Sequence, residues 1–369
     1  LDGAGWAGTE RHVRGLLEGL PRHGFRPALI TSEDGPLARD ARDAGRLWLL
    51  CPRRSPLGYL FRLARLLRRL RPRVAHAHSG RLACLAARLA GVPLILETRH
   101  GVFEQNRPLY RRFPALARWE GWKCRLAHRT LCVCAADARW LERAGGLPRR
   151  RLAVALNGVP PAGDGPSTAA DARRVRRDAR RREWDLPREE PILGFVGRLA
   201  GQKAPERVLE LLARLAAGRN ATGAAAADAE PRDGGPEGAA TGPEGAAAGP
   251  DGAATVPLAV FCGDGPLQEE LRRRADALGI AHRVRYLGEV PDARRILPAF
   301  DLLLLPSRFE GLPYVILEAL AEGVPVLATP VAGVPEALSG PVLSASVLAW
   351  DPQDWAQRAV DRPEGAPLP

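Results

Sequence analysis

Residues 309–336 read F-E-G-L-P-Y-V-I-L-E-A-L-A-E-G-V-P-V-L-A-T-P-V-A-G-V-P-E, which predicts a loop, a helix, a buried strand and a Gly-rich turn in that order. Pro313 suits the first helical position, because the N–H that it lacks would have no intrahelical partner there. The helix leads directly into the apolar run V-P-V-L-A-T at 324–329. A helix followed at once by a buried strand is typical of sheets that are covered by helices on both faces.

Similar apolar runs recur along the rest of the chain and alternate with helical patterns. Strands that alternate with helices form parallel sheets, so we predict an α/β protein. The eight further strand-like runs are R-P-A-L-I-T (26–31), R-V-A-H-A-H (73–78), P-L-I-L-E-T (93–98), T-L-C-V-C (130–134), P-I-L-G-F-V-G (191–197), P-L-A-V-F-C-G (257–263), V-R-Y-L-G (284–288) and D-L-L-L-L-P (301–306).

The chain of 369 residues is long enough for two domains, and its 46% hydrophobic content is ample for two cores. A break between the two series of strands opens with P-P-A-G-D-G-P and continues with an Arg-rich stretch that predicts a helix over 172–182. We therefore predict two Rossmann-like, doubly wound domains that face a cleft, with ligands near the carboxyl ends of the strands. The predicted boundaries are 1–160 for the N-terminal domain, 161–190 for the linker, 191–345 for the C-terminal domain and 346–369 for a short tail.

Residues 218–255 are rich in Ala, Gly, Pro, Asp and Glu and repeat a G-P-E/D-G-A-A unit. They lack the apolar residues that a core needs, which predicts a disordered insertion. The insertion lies between a predicted helix over 206–217 and the next strand, so that it can loop out without disturbing the sheet.

The sequence carries no sign of a membrane span or of a secretory signal. No apolar run approaches the roughly 20 residues needed to cross a bilayer, and the N-terminus lacks the basic-then-apolar order of a signal peptide. The six cysteines form no C-x-x-C pair, which favours buried reduced thiols over a metal site. We therefore expect a cytoplasmic protein.

The positive charge of the chain belongs to its first half. Residues 1–160 carry 30 basic and 12 acidic side chains, whereas residues 161–369 carry 24 and 30, which gives net charges of +18 and −6. Such asymmetry indicates an anionic partner of the N-terminal half: a membrane surface, a phosphate-bearing acceptor or nucleic acid. Nucleic acid is disfavoured, because no known binding module is recognisable and aromatic residues make up only 5% of the chain.

The helix predicted over 60–70 is the most amphipathic part of this basic half. Helical spacing gathers apolar residues on one side and arginines on the other. The pattern is typical of a peripheral helix on the inner face of an anionic membrane, but a helix packed on a sheet with a solvated basic face has the same pattern. The apolar side comprises Leu60, Leu63, Ala64, Leu66, Leu67 and Leu70, and the basic side Arg62, Arg65, Arg68 and Arg69.

Two carboxylates flank the start of the helix in the opening stretch. Glu310 precedes this helix and Glu318 lies inside it, eight residues further on. The free N–H groups of Gly311 and Leu312 suit an anionic or hydroxyl-rich ligand, and carboxylates can accept hydrogen bonds from sugar and ribose hydroxyls. An exposed acid at a helix cap and a second acid on the helix surface would give the same spacing without a binding site.

Two cations follow the first strand of the second half in G-R-L-A-G-Q-K: Arg198, directly after Gly197, and Lys203. Arg can grip phosphate oxygens bidentately and Lys acts as a point charge, so the pair suits a diphosphate and would stabilise a leaving phosphate. Gly263 and Gly265, in F-C-G-D-G-P, leave room for a ligand against the backbone. In the alternative interpretation, Arg198 and Lys203 are surface cations without a ligand, and the glycines serve only to form a tight turn.

In the first half, Gly8 opens a helix and gives access to its backbone, and His100 follows a strand in T-R-H-G. A histidine at that edge could contact a substrate hydroxyl, although a structural role is more common. His76 and His78 share one face of a strand without a carboxylate or cysteine partner in sequence. We interpret them as core or cleft-lining residues and predict no metal site.

The chemically informative motifs occur in a definite order: G-x-x-x-A-G-T-E-R-H-V, A-H-A-H-S-G, T-R-H-G, A-L-N-G-V, F-V-G-R-L with Lys203, F-C-G-D-G-P, F-E-G-L-P-Y-V-I-L-E and G-V-P-E. In this order and spacing the chain resembles family-4-type retaining glycosyltransferases of the GT-B fold. The resemblance covers nearly all of residues 3–340 apart from the insertion.

The resemblance implies transfer of a sugar from a nucleotide-diphosphate donor to a glycan or lipid-linked acceptor, with retention at the anomeric carbon. Such transfer would serve cell-envelope polysaccharide or glycoconjugate synthesis. The family needs no metal or other cofactor, and this chain has no D-x-D motif.

The resemblance also implies a role for each candidate residue. Arg198 and Lys203 would hold the donor diphosphate. Glu310 would hold the transferred sugar and Glu318 the ribose. From the first domain, Gly8 would line the loop near the diphosphate and His100 would reach the donor sugar.

The sequence departs from the family at both ends, which predicts a GT-B fold that is truncated at both ends. The chain begins almost directly at the first Gly-rich loop, and the closing helices are missing after about Leu343. Smaller departures are Ala204, where the family usually has glycine, and Ala7–Gly8 in place of paired glycines. The alternative function is a catalytically weak or truncated nucleotide-sugar-binding protein of the same fold, whereas a nucleotide-sugar epimerase would turn over the donor without an acceptor.

Overall fold

The computed structural model describes residues 8–78, 80–101, 107–161, 170–227, 256–339 and 347–360. The chain divides into two compact units. The first comprises Leu1–Pro161, Arg308–Ala321 and Pro330–Val347, and the second comprises Ala162–Ser307, Glu322–Thr329 and Leu348–Pro369. The two later segments of the first unit therefore alternate along the chain with segments of the second.

Two parallel sheets form the described part of the first unit. A pair consists of β1 (Ala28–Thr31) and β2 (Leu47–Leu50). A separate four-stranded sheet has the order β3-β4-β5-β6, and its strands are β3 (Val74–His78), β4 (Leu94–Arg99), β5 (Arg129–Cys132) and β6 (Leu152–Val154). In this sheet His78 lies opposite Thr98, so that the carboxyl ends of β3 and β4 lie side by side.

Helices connect these strands, because parallel neighbours need a crossover. The helix α3 shows why they begin where they do: the Ser55 hydroxyl accepts a hydrogen bond from the Gly58 N–H at 3.2 Å, and Pro56 occupies the first turn. The helices that accompany the two sheets are α1 (Gly8–Gly19), α2 (Pro36–Asp43), α3 (Pro56–Leu70), α4 (Arg81–Leu89), α5 (Arg107–Arg112), α6 (Pro114–Cys124) and α7 (Ala135–Arg143).

The helix predicted over 60–70 is confirmed as part of α3. Its residues Leu60, Leu63 and Leu67 are buried in one apolar cluster with side chains of α4 and of the sheet, such as Ile95. Leu66 is half-buried and Leu70 is exposed. Most of the apolar side of α3 is therefore packed on the sheet, as in the second of the two interpretations of this pattern.

The described part of the second unit has one parallel sheet of five strands, in the order β11-β10-β7-β8-β9. Its strands are β7 (Ile192–Val196), β8 (Leu258–Cys262), β9 (Val284–Gly288), β10 (Leu302–Leu305) and β11 (Val326–Ala328). From β7 the chain adds strands first on one side and then on the other, so the order reverses between β7 and β10. Sheets of this kind bind ligands outside the carboxyl ends of the strands at such a reversal, and Gly197 and Arg198 directly follow β7.

The second unit has helices α8 (Ala170–Glu183), α9 (Glu206–Ala227), α10 (Gln268–Ala277) and α13 (Pro352–Val360). The helix predicted over 172–182 is confirmed as α8. The insertion predicted over 218–255 begins too early, because α9 continues to Ala227 through an Ala-rich sequence that favours helix. The remainder of that insertion, 228–255, lies outside the described residues. Trp355 of α13 is fully buried in the core of this unit, beside Phe195 and Phe261.

All nine strand-like runs are confirmed as strands, and the sequence analysis missed only β2 and β6 among the described strands. The α/β class is likewise confirmed. All six cysteines are buried and free. Within the described ranges, no helix is both long and apolar enough to cross a membrane.

Candidate functional site

The stretch from Arg308 to Ala321 brings α11 (Tyr314–Ala321) to the carboxyl end of β4 in the first unit. Gly311 lies so close to β4 that a Cβ atom there would be 2.3 Å from the carbonyl oxygen of His100. The structure thus brings together two predicted site residues, His100 and Gly311. Because the obstacle is main chain, no side chain fits at position 311.

Both predicted carboxylates of this stretch are buried. Glu310 is 7% exposed and Glu318 is 5% exposed, so neither is the exposed surface acid of the alternative interpretation. Glu318 Oε1 accepts a hydrogen bond from the guanidinium of Arg11 on α1. Glu318 Oε2 is buried and has no hydrogen-bond partner among the described residues. One carboxylate oxygen is therefore available to a ligand donor.

Gly8, at the start of α1, also lies near α11. A Cβ atom on Gly8 would be 3.5 Å from the ring of Tyr314, an ordinary van der Waals distance. Burial raises the pKa of the Tyr314 hydroxyl to about 12, and the Glu318 carboxylate adds to this effect. The predicted residues Gly8 and Glu318 thus lie at one place, where α1 meets α11.

Four histidines gather where α1 meets the ends of β3 and β4. His78 Nδ1 lies 3.1 Å from His100 Nε2, and the ring centroids of His12 and His100 are 4.9 Å apart. His76, the fourth, lies with its ring centroid 4.4 Å from that of His78, and its Nε2 hydrogen-bonds the Thr98 hydroxyl at 2.7 Å. The prediction that His76 and His78 line a core or cleft agrees with their half-buried positions.

Burial keeps these imidazoles neutral at physiological pH. Together with the neighbouring imidazoles, whose effect is smaller, burial lowers the pKa of His76 from 6.5 to about 4 and that of His100 to about 3. The same causes hold the pKa of His78 well below 6.5, and burial lowers the pKa of His12 despite its hydrogen bond to Asn157. Neutral imidazoles can accept as well as donate hydrogen bonds, which suits contact with sugar hydroxyls.

Asn157 links this histidine cluster to the loop before α11. Its Nδ2 donates a hydrogen bond to the carbonyl oxygen of Leu312 at 2.7 Å, and its Oδ1 lies 3.0 Å from His12 Nδ1. The sequence analysis assigned no role to Asn157, His12 or Arg11, although all three lie in motifs that it singled out, A-L-N-G-V and T-E-R-H-V. The polar residues that these motifs contain were the sequence signal from which a role for all three residues could have been predicted.

Glu336 is a further residue that sequence reasoning left without a role. It lies in the single turn of α12 (Val334–Ala337), and its carboxylate accepts hydrogen bonds from the N–H groups of Ala135 and Ala136 at 2.7 and 2.8 Å. These are the first N–H groups of α7, which have no intrahelical partner. Glu336 therefore caps α7 from a position about 200 residues further along the chain.

The predicted phosphate-binding residues lie in the second unit, at the carboxyl ends of β7 and β8. Gly197 follows β7, and a Cβ atom there would lie 3.4 Å from the Lys203 side chain, so that Lys203 lies over this turn. Arg198 is exposed, with no acidic partner among the described residues. Both predicted cations therefore lie near the reversal of strand order.

Gly263 and Gly265 have a packing role. A Cβ atom on Gly263 would lie 2.1 Å from the carbonyl oxygen of Gly197, and one on Gly265 would lie 2.4 Å from that of Leu199. Gly263 also adopts a φ of +136°. The turns after β7 and β8 thus pack main chain against main chain, which requires glycine whether or not a ligand approaches.

No three His, Cys, Asp or Glu side chains converge as metal ligands in the described part of the chain. The described residues instead offer buried acceptors for ligand hydroxyls in the first unit and, in the second, two cations at a Gly-rich turn.

Two family models match the chain, one in each half. Residues 6–162 match the model described as Glycosyltransferase Family 4, and residues 254–361 match that of Glycosyl transferases group 1. The chain belongs to the family-4-type glycosyltransferases. The resemblance drawn from its motifs is thereby confirmed at the level of the family.

Curated relatives of this glycosyltransferase agree with that assignment. One is UDP-Gal:alpha-D-GlcNAc-diphosphoundecaprenol alpha-1,3-galactosyltransferase of Escherichia coli, 27% identical over 89% of this chain and 77% of the relative. Another is D-inositol 3-phosphate glycosyltransferase of Mycolicibacterium smegmatis, 33% identical over 49% of this chain and 34% of the relative.

Among solved structures, HepE of Anabaena in complex with UDP and glucose superposes with a TM-score of 0.70 at 16% identity, over 96% of this chain and 85% of HepE. At this identity the similarity shows the fold alone, and it confirms the predicted GT-B fold with two Rossmann-like domains.

Proposed function

We propose that this glycosyltransferase moves a sugar from a nucleotide-diphosphate donor to a glycan or lipid-linked acceptor with retention at the anomeric carbon. The observation that carries the proposal is Glu318, a buried carboxylate with one oxygen on Arg11 and the other without a partner among the described residues. A buried acceptor without a donor costs the folded protein about 1–3 kcal/mol. A ribose hydroxyl of a nucleotide would satisfy it.

The other predicted residues have proposed roles of their own, each within its unit. Arg198 and Lys203 would neutralise the diphosphate and the charge that develops as the bond to the sugar breaks, so the proposal requires no metal. Glu310 and His100 would hold hydroxyls of the transferred sugar. The departing phosphate oxygen would take the proton of the acceptor hydroxyl on the same face of the sugar, which gives retention.

Relatives support a uridine nucleotide and a lipid-linked or polysaccharide-type acceptor. HepE binds UDP and glucose, and the Escherichia coli relative uses UDP-galactose and a diphosphoundecaprenol-linked sugar. We therefore place the reaction in the synthesis of cell-envelope glycans on the cytoplasmic side of the membrane.

The first test is a thermal-shift series with UDP, GDP, ADP and their sugar conjugates. A ligand that binds only the folded state stabilises it, by about 2.7 kcal/mol at a hundredfold excess over its Kd. We expect UDP to raise the Tm, Glu318→Gln to weaken that shift, and the exposed Glu269→Gln to leave it unchanged. If no nucleotide shifts the Tm of the cooperatively folded protein, the proposed donor site is wrong.

The second test is transfer from UDP-galactose or UDP-glucose to a lipid-linked N-acetylglucosamine diphosphate, with the anomeric configuration of the product read by NMR. Retention of the donor configuration supports the proposal, and inversion contradicts it. Nucleotide binding without any transfer would favour the alternative of a catalytically weak nucleotide-sugar-binding protein.

The proposal includes contact with an anionic membrane surface, which we assign to α5 and α6 in place of α3. Trp119 and Trp122 are 53% and 52% exposed, and their rings stack at 4.9 Å. Exposed Trp beside Arg suits the interface between water and anionic lipid. Leu109, Phe113 and Leu116 are also exposed, as are Arg111, Arg112 and Arg118.

Vesicle binding tests this surface against α3, for which the sequence left membrane contact as one of two interpretations. We expect the wild-type protein to sediment with phosphatidylglycerol vesicles and not with phosphatidylcholine vesicles. Replacement of both tryptophans, Trp119→Ser with Trp122→Ser, should weaken binding about tenfold or more, since each loses the burial of a large aromatic ring. Phe61→Ser on α3 should have little effect; a larger effect there would return the contact to α3.

A further inference from the structure

A chain of hydrogen bonds in the first unit connects the loop before α11 to the histidine cluster. Asn157 stands at its centre: it is 9% exposed, Nδ2 lies 2.7 Å from the Leu312 carbonyl oxygen, and Oδ1 lies 3.0 Å from His12 Nδ1. The three residues come from distant parts of the sequence, since Asn157 is 145 residues from His12 and 155 from Leu312.

The chemistry of these groups determines the direction of each bond. A carbonyl oxygen can only accept, so the amide nitrogen of Asn157 must face Leu312. The amide oxygen then faces His12, and because this oxygen can only accept, His12 Nδ1 must carry a proton. In a neutral imidazole the other nitrogen is then unprotonated. Among the described residues, no hydrogen-bond partner is seen for His12 Nε2.

We propose that Asn157 is a positioning residue that holds His12 as its Nδ1–H tautomer, so that Nε2 accepts a hydrogen bond from a hydroxyl of the sugar substrate. The inference rests on the proposed function, because it takes the substrate to be a sugar. The proposal makes His12 of α1 a hydrogen-bond acceptor for a sugar hydroxyl. His12 lies beside His100, which the resemblance to the family placed against the donor sugar.

The surroundings of His12 favour an acceptor over a cation. Its ring lies edge-on to that of His100, with centroids 4.9 Å apart, and 5.5 Å from that of His78. Protonation of His12 to an imidazolium would place a positive charge beside the three other imidazoles of the cluster in a half-buried space. An unprotonated Nε2 is therefore the stable form, and a hydroxyl is the donor that a sugar supplies.

The tautomer can be measured without any activity. In histidine labelled with ¹⁵N, long-range proton–nitrogen correlation spectra distinguish a protonated from an unprotonated ring nitrogen. His12 is identified by the signals lost in His12→Asn, with the exposed His23→Gln as the control. We expect Nδ1 protonated and Nε2 unprotonated in the wild-type protein at neutral pH. The opposite tautomer, or an imidazolium, overturns the proposal.

The role of Asn157 is tested by Asn157→Ala in the same experiment. We expect His12 to lose its fixed Nδ1–H tautomer in this variant; an unchanged tautomer contradicts the assignment to Asn157. If the variant does not fold, the wild-type spectrum still decides the tautomer.

Substrate contact is tested by His12→Asn, in which the amide nitrogen keeps a donor near Nδ1 for Asn157 but no acceptor replaces Nε2. With UDP-galactose and UDP-glucose as probes, we expect about a tenfold loss in donor-sugar binding or in kcat/KM, whereas UDP alone shifts the Tm as in the wild type. Equal behaviour of His12→Asn and wild type overturns the contact. Failure of the proposed function is distinct: no nucleotide sugar then binds or reacts, while the spectrum still reports the tautomer.

Discussion

The two units differ in what fills them. The described part of the second unit has one sheet, and its large apolar cluster includes Phe195, Phe261 and Trp355. The described part of the first unit has two sheets and several smaller apolar clusters. Its buried polar side chains include Glu97, Thr98, Arg99, Lys123, Thr130, Asp137 and Asn157. Among the described residues, the buried polar side chains of the second unit are fewer: Arg181, Ser307 and Thr329. Hydrogen bonds and charge balance should therefore contribute more to the stability of the first unit than to that of the second.

The largest difference in stability between the two units is expected at acidic pH. The histidine cluster has pKa values lowered from 6.5 to about 4 for His76 and about 3 for His100, so the stability that depends on its neutral form is fully present above pH 6.5 and is lost as the pH falls from 6.5 towards these values. Each histidine costs the folded state up to about 1.4 kcal/mol per pH unit. The raised pKa of Glu97 acts in the opposite direction and offsets part of this loss.

Hydrogen exchange at pH 7 and pH 5, corrected for the intrinsic rate, measures that difference. We expect β3 and β4 to lose protection while β7 and β8 keep theirs. His100→Asn should reduce the pH dependence, and His23→Gln should not. Equal loss of protection in both units would break the comparison.

Removal of a buried charge in the first unit should have the next largest effect. Arg99 is 4% exposed, and its guanidinium lies 3.7 Å from the carboxylates of both Glu97 and Glu120. Arg99→Leu leaves Glu97 buried without its cation, which should cost about 3–5 kcal/mol. Chemical denaturation followed by circular dichroism gives the value. Arg65→Leu, at an exposed position on α3, should change stability by less than about 0.5 kcal/mol.

Added volume should disturb the second unit at Gly194 on β7. A Cβ atom there would lie 2.1 Å from the ring of Phe300, which is itself fully buried. Gly194→Ala should therefore cost about 1–3 kcal/mol in the free energy of unfolding. Gly201→Ala, where no atom lies within 4 Å of the added carbon, is the matched control. If Gly194→Ala leaves the free energy of unfolding unchanged, the side chains around Phe300 rearrange more easily than their packing indicates.

The smallest effect is expected at Ala204, where the family usually has glycine. Ala204 has a φ of +48°, a left-handed conformation that costs an alanine about 1–2 kcal/mol. Ala204→Gly would relieve that cost but lose a buried methyl group and increase the entropy of the unfolded chain. We expect the gain from the relieved strain and the losses from the other two effects to offset each other to within about 1 kcal/mol in the free energy of unfolding. A larger change in Tm in either direction would show which cost dominates.

The sequence predicted the strands well because their apolar runs are long and bounded by turn residues. It missed β2 and β6, which have four and three residues and each pair with one neighbour. Length alone does not explain the omission, because β11 also has three residues and was predicted. The division of the first unit into two sheets was also not predictable, because strand order depends on tertiary packing.

The candidate site was predictable in its residue types and not in its contacts. Glu310, Glu318, Arg198 and Lys203 follow from motifs at the ends of strands. The bonds from Arg11 to Glu318 and from Asn157 to Leu312 join residues far apart in sequence, and no local pattern encodes them. Local spacing also failed at the boundary of α9, where helix propensity extends ten residues beyond the predicted start of the insertion.

The cap that Glu336 places on α7 has a consequence for how the protein is made. Ala135 and Ala136 leave the ribosome about 200 residues before their partner, and Leu312, which packs on Val133 and Cys134, is also made late. At roughly 5–20 residues per second, synthesis of the intervening chain takes on the order of ten seconds or more. During that interval the nascent first unit lacks a helix cap and part of its apolar packing. It becomes complete only when most of the second unit has been synthesised.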